Sequence, residues 1–456
     1  MGRRPGQNRV NARELVLDGL LTIEREQEYS HVVTGGILDK YNYLEAREKA
    51  FIKRLIEGTL ERRITLDYAI DSVSSVPVRR MKPLIRELMR MSGYQILFMD
   101  AVPDSAVCNE AVRLAQQRGF CSLKGFVNGV LRSLCRNRDR IVWPDREQDR
   151  ETYLSVRYSM PCWLIAKWDR EQGRERTEEI LEGLLAARPV TVRIRDGLTD
   201  RHREAVREEM EQAGIGIRES GLLPCAWHLE KTEGMRNIPA FEAGLFTVQD
   251  IGSMLAVEAA GIGPDAFVID VCAAPGGKTM FAAQKAYRGQ VLARDSSERR
   301  LALLEETRSR LGAENVMLEQ WDGTVFDETK RGWADVVLVD APCSGLGVIG
   351  RKRDIKYRMT EENIGTLAAL QKQILEQAQQ YVKRGGVLLY STCTISRAEN
   401  EDVRKWFLDR FPFRAESLAP YLPKAVREET ISEGYVQLLP GIYESDGFFI
   451  ARFVRE

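Results

Sequence analysis

"VIDVCAAPGGKT", residues 268–279, is the stretch whose reading decides the fold. An apolar run reaches Asp270, turns through small residues, and gives way to a helical pattern at Gly277. A strand, a tight turn and a helix in that order open the binding crevice of open α/β sheets. "GGKT" invites a phosphate-loop reading, but that motif needs a glycine five positions before Gly277. Cys272 stands there, and no G-x-G-x-x-G pattern replaces it. What remains is a loop in which Ala273, Ala274, Gly276 and Gly277 let backbone approach a ligand at the strand's carboxyl end. The plain alternative is a tight connection and nothing more.

The flanking sequence favours the ligand. "AFVIDV" (266–271), "QVLAR" (290–294), "NVMLEQ" (315–320), "ADVVLVD" (334–340) and "GGVLLYS" (385–391) read as strands, with helical runs at 276–287, 297–312 and 361–383. Strand–helix alternation implies a parallel sheet covered on both faces. "GFFIARFV" (447–454) is a last strand with no helix after it, and suggests an antiparallel edge. Asp295 ends the second strand and suits a ribose diol. Asp322 follows the third, placed to accept from an adenine amino group, and Asp340 ends the fourth. A lone Asp after a strand is usually a turn or helix cap. Three in succession beside a small-residue loop are better explained by one adenosine ligand, and S-adenosylmethionine fits best where that loop carries no pyrophosphate signature.

Two cysteines belong to the same rim. Cys343 follows the fourth strand in "DAPCSG", and Cys393 follows the fifth in "LLYSTCTIS" (388–396). Neighbouring parallel strands turn both thiols toward one crevice. Methylation of a pyrimidine carbon calls for such a pair. Carbon 5 of cytosine is a poor nucleophile until a thiolate adds to carbon 6, which splits a hard step into two easier ones. A base must then remove the carbon-5 proton so that the first sulfur can leave. Two buried packing cysteines are the competing explanation.

Composition limits the alternatives. The chain has 456 residues, 44% hydrophobic and 29% charged, room for about three domains. "MGRRPGQNRV" has no apolar run behind it and does not read as a signal peptide, and no stretch approaches a membrane span. Eight cysteines without a CxxC pair look like reduced, intracellular thiols, so a cytoplasmic protein is expected. The three histidines, His31, His202 and His228, lie far from the motifs, which disfavours a metal site or a Ser/His/Asp triad. The zero net charge hides an asymmetry: residues 79–140 hold 12 Lys and Arg against 5 Asp and Glu. That excess points to an anionic partner, nucleic acid first.

Residues 8–140 read as a helical bundle, with Val16, Leu17, Leu20, Leu21 and Ile23 on one apolar face, and "IVWPDRE" (141–147) as a linker. Residues 148–240 read as a small α+β unit: helices near 160–171 and 175–187, the strand "PVTVRIR" (189–195), and a helix ended by Gly214.

"DVCAAPGGKT", "DAPCSGLGVIGRKRDIKY" and "YSTCTISRAENEDV" resemble, in order and rough spacing, the motifs of the RNA 5-methylcytosine methyltransferases. "SVRYSMPCWLIAKW", "FTVQDIGSML" and "DGFFIARF" look like that family too. The basic helical region, with "FVNGVLR" (126–132), is similar to NusB-like RNA-binding domains. The combination resembles the bacterial 16S rRNA cytosine-C5 methyltransferases of the Fmu/Sun type, which act on the cytosine 967 position, and the likeness spans nearly the whole chain. It implies a multidomain protein: a NusB-like domain (5–140), a small α+β domain (148–240), and a Rossmann-like class I methyltransferase domain (241–456). It also implies Cys393 as nucleophile and Cys343 as the residue assisting release. Cys272, Ala273, Ala274, Pro275, Gly276, Gly277 and Lys278, with Asp295, Asp322 and Asp340, would hold S-adenosylmethionine, and Lys278 would also orient the site. The implied partner is 16S rRNA not yet in the assembled subunit, with no membrane. Two positions depart from the family: Leu346, where Gly-Thr-Gly is usual, and Arg353, where a proline is usual. Both are expected to touch the loop beside the substrate. The rival readings are a tRNA cytosine-C5 methyltransferase and a non-catalytic RNA assembly or antitermination factor.

Overall fold

The computed structural model describes residues 10–456; the basic stretch before them lies outside the described residues. The chain divides into two compact units. One holds the residues up to Leu181 together with Arg351–Arg358, and the other holds Glu182–Gly350 with Met359–Glu456.

The first unit is helical. Seven helices, α1 (Ala12–Arg25), α2 (Ser30–Lys40), α3 (Ala46–Glu61), α4 (Arg63–Asp71), α5 (Pro83–Phe98), α6 (Asp104–Gln117) and α7 (Lys124–Asn137), share one core. Val16, Leu17 and Leu20 pack there with Ile52, Leu88 and Leu131, so the apolar face expected of the first helix is the buried one. The helices α8 (Arg150–Tyr158), α9 (Cys162–Gln172) and α10 (Arg174–Leu185) follow.

The second unit contains two sheets. Strands β1 (Val190–Ile194), β2 (Gly216–Glu219), β3 (Ala226–Glu230) and β4 (Phe246–Val248) form an antiparallel sheet in the order β2-β3-β1-β4. Helices α11 (Asp200–Gln212) and α12 (Pro239–Glu242) accompany it, and Val206 and Met210 of α11 join Val192, Ile194, Trp227 and Phe246 in its core. The periodicity at 189–195 reveals only the first of these strands; β2 and β4 are shorter, and in β3 His228 interrupts the apolar run.

The larger sheet alternates as expected: β5 (Phe267–Asp270), β6 (Gln290–Asp295), β7 (Val316–Gln320), β8 (Ala334–Asp340) and β9 (Val382–Thr392) run parallel. Helices α13 (Ile251–Ala260), α14 (Gly277–Lys285), α15 (Glu298–Leu311), the short α16 (Ile355–Arg358), α17 (Glu361–Ala378) and α18 (Glu401–Arg410) lie between or beside them in sequence. Alternate residues feed two cores: Val268, Leu338 and Leu389 face one, Ile269, Val337 and Leu388 the other. A strand buried on both faces reads as an unbroken apolar run, which is why these strands were legible. The last strand, β12 (Phe448–Arg455), pairs antiparallel with β9, as expected, but is not the edge: β10 (Phe413–Ala415) and β11 (Tyr435–Leu438) both pair with it. The order β10-β12-β9-β8-β5-β6-β7 reverses direction between β5 and β8, the switch point at which such sheets bind ligands. Among the described residues, no helix is long and apolar enough to cross a membrane.

Candidate active site

The parallel strands deliver their carboxyl ends to one edge. Asp270 ends β5, Asp295 ends β6, Asp340 ends β8, and Cys393 directly follows β9. From Asp270 the chain turns sharply through a cis Ala274–Pro275 peptide bond into α14. Gly276 has φ +105°, and a Cβ there would approach Leu304 Cγ to 3.1 Å. Backbone strain and crowding both require glycine at that position.

Cys272, Ala273, Ala274, Pro275, Gly277 and Lys278 line a cavity of about 190 Å³ with Asp270 and Asp340. Val248, Gln249 and Asp250, just ahead of α13, and Ser253 within it complete the wall. Lys278 Nζ lies 2.8 Å from Asp340 Oδ2, and Ser391 Oγ donates to the other Asp340 oxygen at 2.9 Å. Thr279 Oγ1 donates to Asp270 Oδ2 at 2.7 Å, while Asp270 Oδ1 is buried without a partner. Burial, with the nearby Asp340 charge, pushes the Asp270 carboxyl up to about 7. Burial and three surrounding carboxylates, Asp270, Asp340 and Asp295, push the Cys272 thiol well above its usual range, so Cys272 is a wall residue and not a thiolate.

The three aspartates foreseen at strand ends separate. Asp340 lines the cavity. Asp295 is not in its wall; the carboxylate accepts from Ala274 N at 3.3 Å and Ser297 N at 2.9 Å, and pairs with Arg300 at 2.8 Å. It therefore braces the loop backbone. Asp322 is exposed and closes a turn, accepting from Thr324 N at 2.9 Å and Thr324 Oγ1 at 2.7 Å. Those bonds hold its carboxyl below the usual range.

The two thiols meet. Cys343 Sγ and Cys393 Sγ are 3.3 Å apart. Contact with Cys393, burial and the Glu399 charge all push Cys343 upward. Behind the two thiols lies a buried network that sequence reasoning missed. Glu399 accepts from Ser344 N at 2.8 Å and from Ser344 Oγ at 2.5 Å. Gln371 Nε2 donates to Glu399 Oε1 at 3.1 Å and to Pro342 O at 2.9 Å, and Gly347 N donates to Cys393 O at 3.1 Å. Gly347 also packs against backbone: a Cβ there would meet Gly447 O at 2.1 Å. Gln249 and its support were missed as well. Arg193, buried on β1 over the Phe281 ring at 4.4 Å, donates to Gln249 Oε1 at 2.7 Å. A buried arginine in a strand is a signal the alternation pattern does not report.

The two departures differ in place: Leu346 lies in the loop whose next residue, Gly347, bonds Cys393 O, and Arg353 does not. Leu346 is fully buried in the turn after Gly345. Arg353 belongs to the helical unit, where it pairs with Glu57 at 3.1 Å and Glu61 at 2.9 Å. Its neighbours cap helices there: Asp354 accepts from Ser30 N at 3.2 Å at the start of α2, and Lys356 Nζ donates to Glu61 O at 2.9 Å at the end of α3. Those are the ends at which each charge sign is favoured.

Comparison with known proteins agrees with this fold. The model for "16S rRNA methyltransferase RsmB/F" matches residues 261–454, and that for the NusB family matches residues 10–136. A probable ribosomal RNA small subunit methyltransferase B from Bacillus subtilis is 34% identical over 97% of this chain and 98% of its own length. The chain belongs to the RsmB/F methyltransferase family. Among solved structures, PH0851 superposes with TM-score 0.81 over 99% of this chain and 100% of that one, at 24% identity, and shares the fold. A methyltransferase homologue from Pyrococcus horikoshii covers 66% of this chain and 98% of its own, with TM-score 0.56 and 28% identity. The RsmB/F match takes in the whole parallel sheet, with both thiols and the loop after β5.

Proposed function

We propose that this protein methylates carbon 5 of a cytosine in 16S rRNA, of the cytosine 967 type, through a covalent adduct on Cys393. The observation that carries the reading is the 3.3 Å approach of two thiols at the ends of adjacent strands. Cys393, as thiolate, adds to carbon 6 and leaves an enamine whose carbon 5 is nucleophilic. The Cys343 sulfur, next to it, receives the carbon-5 proton after methylation, and the carbon 6–sulfur bond then breaks with return of the electron pair to Cys393. Cys343 must be a thiolate at that moment; loss of the Cys393 negative charge on adduct formation removes one of the causes that hold its proton. Glu399 and Gln371 keep the two thiol-bearing loops in register.

S-adenosylmethionine, when bound, supplies the methyl group. The residues present fit it: a small cavity walled by the small residues Ala273, Ala274 and Gly277, a cation at Lys278, and carboxylates at Asp270 and Asp340. In this reading Lys278 and Asp340 orient the methionyl end, Asp295 supports the ribose through the loop, and Asp322 meets the adenine. The helical region 5–140 and the small α+β region 148–240 handle the RNA, and the target base leaves its stack to reach Cys393. The test is direct: purified protein, S-adenosylmethionine and naked 16S rRNA transcript, followed by mapping of 5-methylcytosine. One modified cytosine supports the reading; methylation at another atom or base, or none, contradicts it.

A further inference from the structure

Residues 79–140 carry 12 cations, and the structure sorts them. Arg86 is neutralised by Glu24, Arg90 by Asp67 and Glu87, Arg113 by Glu110, Arg118 by Glu14 and Asp18, and Arg138 by Asp104. The other seven, Arg79, Arg80, Lys82, Lys124, Arg132, Arg136 and Arg140, have no ion-pair partner among the described residues. Four of them belong to α7 and the turn that extends it. Lys124, Arg132 and Arg136 are exposed and fall at steps of four or eight residues, so they share one side of the helix over roughly 18 Å. Arg140 continues the series, and Asn128, bonded to Arg132 Nε at 3.0 Å, lies among them.

The same side is bare. Gly125 and Gly129 are exposed, and a Cβ on either would meet no atom within 4 Å. Glycine inside a helix lowers its stability relative to alanine, and neither glycine gains internal packing in return. The helix opens with Lys124 and no acidic residue in its first turn. Lys82, which opens α5 in the same way, lies 5.7 Å from the Phe120 ring just ahead of α7. Free cations over a surface without side-chain bulk complement a chain of phosphates lying close against the helix.

We propose that the exposed side of α7, from Lys124 to Arg140, is a docking surface for the sugar–phosphate backbone of the RNA substrate, which lies directly on the helix at Gly125 and Gly129. The identity of the anion rests on the RNA-methylation reading above. Backbone contacts of this kind set the position of the RNA and carry no base preference.

The experiment uses the full chain and a labelled, naked 16S rRNA transcript, with binding measured between roughly 50 and 200 mM salt. The triple variant Arg132→Gln/Arg136→Gln/Arg140→Gln should lower the slope of log K against log salt by about 2, at ~0.7 per single-strand phosphate contact. Arg113→Gln, whose cation already pairs with Glu110, should leave the slope unchanged. Gly129→Leu adds bulk in open space; it should weaken binding several-fold with the slope preserved and the melting temperature unchanged or raised. An unchanged slope in the triple variant overturns the proposal, and full affinity in Gly129→Leu overturns the direct seating on the helix. Wild-type methyl transfer is measured on the same RNA. Transfer with an unchanged slope means that the docking surface alone is wrong. A lowered slope without transfer means that the catalytic reading is wrong and the surface stands.

Discussion

The strand-end rim and the exposed side of α7 handle charge in opposite ways. At the rim, polar groups are buried and committed: Lys278 to Asp340, Thr279 to Asp270, Glu399 to Ser344 and Gln371. On α7 and the turn after it, Lys124, Arg136 and Arg140 are exposed and make no ion pair among the described residues. Bond-making chemistry gains from groups already fixed where charge will develop, because no reorganisation is then needed at the moment of reaction. Phosphate binding gains from cations that are free to exchange counterions for the ligand. Substitutions at the rim should therefore change rate or cofactor affinity with little salt dependence, and those on α7 should do the reverse.

The largest effect is expected from Cys393→Ala, which should reduce methyl transfer to background and form no protein–RNA adduct, while calorimetric affinity for S-adenosylmethionine stays unchanged. Turnover by this variant would mean that the thiols are packing residues. Next comes Lys278→Met, which removes the cation from the cavity wall and leaves Asp340 without its 2.8 Å partner. Losing a charge-assisted bond typically costs about 1.5–3 kcal/mol, roughly 10- to 100-fold in cofactor affinity. Asp295→Asn should cost about tenfold, the low end of the same range, since its link to the ligand runs through the loop. An unchanged calorimetric affinity would remove Asp295 from the site.

A stability measurement separates the two regions in another way. The Asp270 carboxyl is raised in the folded state to about 7, from a usual value near 3.8. The folded protein then binds more protons than the unfolded chain across that window, so this contribution is fully present below pH ~3.8 and is lost as pH rises through about 7. Asp270→Asn should flatten the fall of melting temperature over that range; an unaltered profile would show that the carboxylate is charged in the fold. The smallest effect belongs to Arg353→Ala. Its ion pairs with Glu57 and Glu61 are partly exposed, so about 1 kcal/mol or less of stability should be lost, and chemical denaturation with an adduct assay should show no change in Cys393 reactivity.

Much of this was legible in the sequence, for physical reasons that differ by element. Strands β5, β8 and β9 are buried on both faces and leave continuous apolar runs, so the sheet and the positions of Asp340, Cys343 and Cys393 at its edge could be read directly. Strands β2, β4, β10 and β11 have three or four residues, too few to show a period, and in β3 His228 interrupts the apolar run. Asp270, the last residue of β5, is one more strand-end acid, but its lack of a partner for Oδ1 shows only in the packed structure. Arg353 shows the limit of motif reasoning: a residue inside a motif pairs with Glu57 and Glu61 of helix α3. Glu399, Gln371 and Arg193 become visible only when elements distant in sequence are packed together.

The most direct test of the two-thiol cycle is denaturing gel electrophoresis of Cys343→Ala after incubation with naked 16S rRNA and S-adenosylmethionine. Carbon 5 should be methylated and its proton left in place, so the Cys393 sulfur cannot depart. The account predicts a covalent protein–RNA band that appears only with cofactor, absent in Cys393→Ala and in the Cys343→Ala/Cys393→Ala double variant. A band in Cys393→Ala instead would exchange the two roles, and full turnover by Cys343→Ala without any band would contradict the cycle.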